Sequence, residues 1–389
     1  RDSYWIAATE AEASLILGQV EAACESYESA FKREDAQPSS IASTRKQALQ
    51  IAGMFEDESI RERMEEAFPL LGIVACSGHV IDNPGRSKRF PPEAESIAKE
   101  KIDQALERLG ARCGYSSAAC GTDILFLEAM AERGGETHVF LPFAKDEFIE
   151  TSVRRAGGNW VARFEKVLDH ATSVHYVTSE GYYGDDSLFT FCNQVMLGFA
   201  AMRGRGLDED PNLLVIWDGQ PGSTGGTGEL VDAWRSEFNE PEIIDPVEIL
   251  DIAGEPEPVR FHSGETRPHL IPTFGDPSIS FRSVKIMLFA DVKAFTGLIE
   301  AKTGEFVEAF HGGIARLIDK LSNRPVFLNT WGDSFFAVFE STDDALKLAL
   351  DIRDYFNKKD WSEFLIDGDM EVRISMHAGP VYEEFDPIL

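Results

Sequence analysis

Two carboxylates stand where chemistry can be done. Asp291 ends the apolar run VKIMLFADV, and Asp333 follows Gly332 in the turn of VFLNTWGDSFFAVF. Runs this apolar belong at the centre of a sheet, so each Asp is held at a strand end beside buried surface, where a lone carboxylate loses solvation. Two facing carboxylates also repel unless a divalent cation lies between them. Mg²⁺ takes oxygen ligands, usually one or two carboxylates plus substrate phosphates and water. The stretch 292–297, VKAFTG, leaves the strand and turns into a helix, and its free N–H groups suit a triphosphate. On residues alone this is a metal–phosphate site. An Asp at a strand end more commonly serves a turn or a helix cap.

A second set of candidates lies on small-residue loops earlier in the chain. CSGH (76–79), with Ser77, Gly78 and His79, closes an apolar run in a Gly turn, the shape of a phosphate-approaching βα loop. GYSSAACGTDILFLEAM carries Ser117, Gly121 and Asp123 at a helix start. WDGQPGSTGGTGELVDAW carries Asp218, Gly219, Gly225, Gly226, Thr227 and Glu229 ahead of another helix. Three such loops at the carboxyl ends of strands converge on one pocket. Small residues let backbone amides reach a phosphate, and Asp123 or Glu229 can hold a ribose hydroxyl. Arg86, Lys88 and Arg89 add local positive charge that suits an anionic ligand. The plainer alternative is that Gly and Ser only make tight turns.

These residues need elements to position them. Residues 1–69 are helical in pattern, with Gly18 turning the chain between two helices. The order Ala8, Leu17-Gly18, Ala23, Tyr27, Ala30-Phe31 resembles a tetratricopeptide-type helical hairpin. One such repeat cannot bury its own face and must pack on neighbours. Residues 70–250 alternate apolar runs (LGIVACSG, THVFLPF, SVHYVT, NLLVIWDG) with helical stretches at about 93–109, 122–133, 186–203 and 227–238. Alternation of this kind predicts a parallel sheet with helices on both faces. Residues 251–283 are rich in Pro and Gly and read as a linker. Residues 284–389 read as strand, helix, two strands joined by a tight turn, helix, strand, the βαββαβ ferredoxin-like pattern. The fold class expected is α/β and α+β, multidomain.

Composition narrows the partners. The 389 residues suffice for two or three domains. Lys+Arg at 37 against Asp+Glu at 67 gives a formal net charge of -30, a surface that repels nucleic-acid backbones and anionic membranes. Five scattered cysteines without metal-type spacing fit a reducing cytosol, so the expected location is cytoplasmic. No run of about 18 apolar residues spans a membrane. The chain opens at Arg1 without an initiator Met and reads as a fragment of something longer.

The motifs carry a resemblance. MLFADVKAFTGL, NTWGDSFFAVF and VRISMHAGPVY resemble the three successive signatures of class III adenylate and guanylate cyclases, over about 284–389. The resemblance implies that Asp291, Asp333 and the carbonyl of Val292 hold two ions, Mg²⁺ or Mn²⁺. One ion would lower the pKa of the ribose 3′-hydroxyl and the other hold the β- and γ-phosphates of a nucleoside triphosphate. It places Phe295, Thr296 and Gly297 under the phosphates, makes Arg373 a phosphate contact, and implies a homodimer through this domain. Where the family has an adenine-selecting lysine this chain has Asn329, so base choice stays open between ATP and GTP, with ATP as the commoner substrate. The family's next segment, with its remaining base-reading, ribose-positioning and transition-state residues, lies beyond Leu389, which predicts metal binding with poor turnover by this chain alone. His377 is expected to be a packed strand histidine, and Trp331, Phe335 and Phe336 to be core or dimer interface.

SSAACGTDILFLEAM and GGTGEL resemble the Rossmann-like nucleotide-sensing superfamily SLOG over about 70–250. That resemblance implies a nucleotide-like regulatory ligand. The alternative reading of the chain is a nucleotide-binding or N-glycoside-cleaving SLOG protein with a degenerate cyclase domain. PGSTGGTGEL only approximates the catalytic loop of that group's enzymes.

Overall fold

The chain divides into two units, Arg1–Pro272 and Thr273–Leu389. The computed structural model describes residues 3–82, 89–179, 181–182, 184, 186–221, 225–253, 282–293, 302–331, 333–364 and 371–382.

The first unit opens with four helices: α1 (Tyr4–Ile16), α2 (Val20–Phe31), α3 (Pro38–Ala52) and α4 (Glu58–Ala67). Asp57 starts α4 by accepting from Ser59 N at 3.0 Å, which satisfies one of the helix's free N–H groups. There follow β1 (Gly72–Gly78), α5 (Glu95–Arg108), β2 (Ala111–Ser116), α6 (Thr122–Glu132) and β3 (Glu136–Leu141). The chain continues through α7 (Lys145–Phe148), α8 (Trp160–His170), β4 (Ser173–Tyr176), α9 (Ser187–Leu207), β5 (Asn212–Ile216), α10 (Thr227–Glu237), β6 (Glu242–Ile244) and α11 (Pro246–Ala253). The six strands are parallel in the order β4-β3-β2-β1-β5-β6.

Period-two alternation divides the core. Val74 and Cys76 of β1 join residues of α5, α6, α8 and α11. Ile73 and Ala75 join Phe140, residues of α9, Trp234 of α10, and Tyr4, Tyr27 and Met64 of the opening helices. Both faces are covered, which is why the strands read as continuous apolar runs. The opening helices share this core, and the hydroxyl of buried Tyr4 donates to Thr44 Oγ1 at 2.8 Å. The hairpin's unpaired face is therefore met by the sheet and its helices.

Two strands, β2 and β6, are absent from the apolar-run reading. ARCGYS contains Arg and Gly, and EII is three residues long, so neither shows a run to be found.

The second unit runs β7 (Arg282–Lys293), α12 (Thr303–Ile318), β8 (Phe327–Trp331), β9 (Ser334–Phe339), α13 (Thr342–Lys358) and β10 (Glu371–Tyr382). Its four strands are antiparallel in the order β10-β7-β9-β8. Ser341 caps α13, its Oγ accepting from Asp344 N at 3.2 Å. Ile286, Leu288, Ala290 and Val292 of β7 and Phe335, Ala337 and Phe339 of β9 pack with Phe306 and Phe310 of α12 and Leu348 and Ile352 of α13. The intervening residues face the other way, where Phe289, Phe327 and Trp331 are exposed. The linker expected over 251–283 is shorter at both ends, because α11 reaches Ala253 and β7 starts at Arg282. Residues 254–281 lie outside the described residues.

Candidate functional site

In the second unit, Asp291 sits near the end of central strand β7, directly opposite Ser334 on β9 and Arg373 on β10. Opposed residues in an antiparallel pair share a face, and this is the face opposite the core helices. Ser334 Oγ donates to Asp291 Oδ1 at 3.1 Å, and Arg373 Nη2 donates to Asp291 Oδ2. Asp291 is 19% exposed, Arg373 67%. Asp333 precedes Ser334 in the β8–β9 turn, which brings the two expected carboxylates to one end of adjacent strands. Val292 sends its side chain into the core, so only its backbone bears on this end. Among the described residues no three His, Cys, Asp or Glu side chains gather as a cage for a metal. A site of two carboxylates completed by substrate and water oxygens needs no such cage. Phe295, Thr296 and Gly297 lie outside the described residues.

Asn329 lies opposite Phe336 on the same face, and its Oδ1 accepts from Thr330 N at 2.8 Å. Phe335 enters the core, whereas Phe336 lies between Phe327 and Trp331 with ring centroids 6.1 and 6.3 Å away. His377 departs from the expectation of a packed strand histidine. It is exposed, because β10 is an edge strand and position 377 falls on the face away from α12 and α13.

In the first unit the chain steps from β1 outward through β2, β3 and β4, then returns to β5 on the other side of β1 and continues to β6. Loops diverge at the carboxyl ends of β1 and β5, the kind of switch point at which open α/β sheets bind ligands. His79 N donates to Ile216 O at 3.2 Å, tying the two strand ends together. His79 Nε2 then lies 3.7 Å from Asp218 Oδ1, and Arg89 Nη2 donates to Asp218 Oδ2 at 2.9 Å. Among the described residues His79 Nε2 is buried without a hydrogen-bond partner. Burial, followed by the Arg89 charge, lowers the His79 pKa to about 4 against the opposing pull of Asp218. Arg89 is itself held by Asp82, whose Oδ2 accepts from Arg89 N at 2.6 Å and Phe90 N at 2.8 Å.

The loop before α6 is stitched to the same place. Thr122 N and Oγ1 donate to His79 O at 3.2 and 2.9 Å, and Ile81 N donates to Cys120 O at 3.1 Å. Gly121 sits between them at φ +110°. Asp123, in the first turn of α6, is buried and accepts from Ala119 N at 3.2 Å, and burial pushes its carboxyl up to about 7. Ser117 spends its hydroxyl on Phe140 O at 3.1 Å.

The third loop makes its own cluster. Glu229 Oε2 accepts from Gly225 N at 2.5 Å, Thr190 Oγ1 donates to Glu229 Oε1 at 3.1 Å, and Asn193 Nδ2 donates to Gly225 O at 3.1 Å. Glu229 thus clamps the Gly-rich turn at the start of α10. Structure brings together Ser77, Gly78, His79, Gly121, Asp123, Asp218, Gly219 and Arg89, and groups Gly225, Gly226, Thr227 and Glu229 with α9. Sequence reading missed Asp82, Thr122, Thr190 and Asn193, whose roles depend on partners far along the chain. Arg86 and Lys88 lie outside the described residues.

Asp123 and His79 oppose one another in pH dependence. Asp123 holds its proton in the folded state up to about 7, well above an unfolded Asp near ~3.9, so its contribution weakens as pH rises through that window. His79 is depressed to about 4, below an unfolded His near ~6.5, so its contribution weakens as pH falls through that window. The stabilisation of Asp123→Asn relative to the parent is therefore expected to grow from about pH 5 to about pH 8. Thermal unfolding across that range checks it, and a difference that stays constant with pH contradicts a buried neutral Asp123.

No protein-family model and no curated protein matches this sequence. Among solved structures, DNA processing protein A (DprA) from Streptococcus pneumoniae is 13% identical, with 55% of this chain and 87% of that chain covered at a TM-score of 0.24. E. coli aspartokinase III in complex with aspartate and ADP is 9% identical over 79% of this chain and 86% of that chain, TM-score 0.21. Clostridium acetobutylicum aspartate kinase is 10% identical over 79% and 84%, TM-score 0.16. Overlaps this slight leave the functional argument with the chain's own residues.

Proposed function

We propose that the chain belongs to a signalling nucleotidyl cyclase that converts a nucleoside triphosphate, by preference ATP, to the cyclic nucleotide and diphosphate, under control of a nucleotide-like ligand at the first unit. The observation that carries this reading is the carboxylate pair at one end of β7 and β9, with Arg373 beside it on β10. The βαββαβ order with sheet order β10-β7-β9-β8 supports the ferredoxin-like part of the reading. The parallel sheet with its switch point between β1 and β5 supports a Rossmann-like sensing domain.

In this reading Asp291 and Asp333 hold two divalent ions, Mg²⁺ or Mn²⁺, which when bound acidify the ribose 3′-hydroxyl and neutralise the phosphates. Arg373 presents a planar fork to a phosphate. Asn329, on the same face, both donates and accepts and so can read a base edge. Exposed Phe289, Phe327 and Trp331 on that face suit a second copy closing over the site. No described helix is long and apolar enough to cross a membrane. All five cysteines are free and buried, which agrees with a cytoplasmic setting.

The test is incubation of the full-length gene product with each nucleoside triphosphate and Mn²⁺ or Mg²⁺, followed by product identification. A cyclic nucleotide is expected, with adenine the favoured base. Absence of any cyclic nucleotide under every condition defeats the reading. A second reading, nucleotide N-glycoside cleavage in the first unit with a degenerate second unit, draws on the His79–Asp218–Arg89 cluster beside buried Asp123. Release of free base from nucleoside monophosphates is its signature.

A further inference from the structure

We infer that Arg373 is the resident cation of the Asp291 carboxylate and yields it when a phosphate arrives, so that metal entry and phosphate binding are coupled. This rests on the cyclase reading of the site and adds its regulation. Both oxygens of Asp291 are engaged by its own chain: Ser334 Oγ donates to Oδ1 at 3.1 Å, and Arg373 Nη2 donates to Oδ2. A divalent ion needs the oxygen that the guanidinium holds, so the two compete.

Exposure decides which partner moves. Asp291, 19% exposed, is fixed on a central strand between β9 and β10, whereas Arg373, 67% exposed, stands on edge strand β10 with a long, mobile side chain. An ion pair this open to water balances the charge of Asp291 without locking it. A phosphate offers the fork a bidentate partner with more charge. As Arg373 turns to it, Asp291 Oδ2 is released to a cation. Coupling of this kind is reciprocal, so a bound cation also frees Arg373 for phosphate.

Two measurements on the whole chain test this: Mn²⁺ binding without nucleotide, by electron paramagnetic resonance, and pyrophosphate binding in EDTA, by calorimetry. Arg373→Gln is expected to bind Mn²⁺ about fivefold more tightly than the parent, the scale a half-exposed ion pair permits. Asp291→Asn should lose Mn²⁺ and, with Arg373 released, bind metal-free pyrophosphate about fivefold more tightly. Arg373→Lys keeps the charge and should stay within about twofold of the parent for Mn²⁺.

If Arg373→Gln leaves Mn²⁺ affinity unchanged or weaker while Asp291→Asn abolishes it, Arg373 is not the resident cation, although the carboxylate site stands. If Arg373→Lys tightens Mn²⁺ as much as Arg373→Gln, competition by charge is wrong. If the parent and Arg373→Gln both fail to bind Mn²⁺, the metal reading falls and this inference with it.

Discussion

Asp291→Asn is expected to cut cyclic-nucleotide formation by about a thousandfold or more while leaving the second unit folded. Losing a carboxylate that holds a catalytic ion removes several kcal/mol of transition-state stabilisation, and about 4 kcal/mol corresponds to about a thousandfold in rate. The stability cost is of another order. Asp291 lies on the face away from the core, and its ion partner Arg373 is mostly in water, so the pair contributes about 0–1 kcal/mol. Asn keeps the shape and can still accept from Ser334. Product formation by the full-length protein and the urea midpoint of unfolding separate the two effects. Activity retained to within about tenfold contradicts a metal-holding role for Asp291.

Gly121→Ala is expected to have the largest structural effect near the β1–β5 switch point of the first unit. A Cβ there would lie 2.7 Å from Ile81 N and 2.8 Å from His79 O, both backbone atoms that cannot swing away. The residue also sits at φ +110°, which L side chains rarely adopt. Backbone strain of about 1–3 kcal/mol and overpacking of about 1–3 kcal/mol together predict a loss of about 2–6 kcal/mol. Relief would part the loop after β1 from the start of α6, displacing both His79 and Asp123. Gly219 is the internal control: its φ is +74° but a Cβ would meet open space, so Gly219→Ala should cost only about 1–2 kcal/mol. Equal losses at the two positions, measured by denaturant unfolding, would show that close backbone approach at Gly121 is not what matters.

Much of this architecture is legible in residue order alone. Val74, Cys76, Leu288 and Ala290 lie in apolar runs that a sheet centre requires, and the helices between them are periodic. Asp291 and Asp333 stand out because a carboxylate ending an apolar run is costly unless something compensates it. The Gly turn after β1 and the Asp at the start of α6 are visible for similar local reasons.

What stayed hidden depends on contacts between residues far apart in the chain. That the opening helices bury Tyr4 and Tyr27 in the same core as Trp234 follows from which sheet face lacked cover, and periodicity does not state that. His377 reads as a packed strand histidine, yet it shares the phase of Arg373 and Ser375 on the face of edge strand β10 away from the helices, which leaves it in water. Glu229 reads as a ribose ligand, and only the fold shows that it also accepts from the Gly225 N–H and so clamps its own loop. Asp291, by sequence a free carboxylate awaiting a cation, lies in register with Arg373 and Ser334, a pairing set by β10 returning beside β7. The sequence by itself determined which residues are able to bind charge, because residue type and local apolar context are local properties. Only the tertiary structure decided which charges already have partners, because strand order and register bring together residues that the chain keeps far apart.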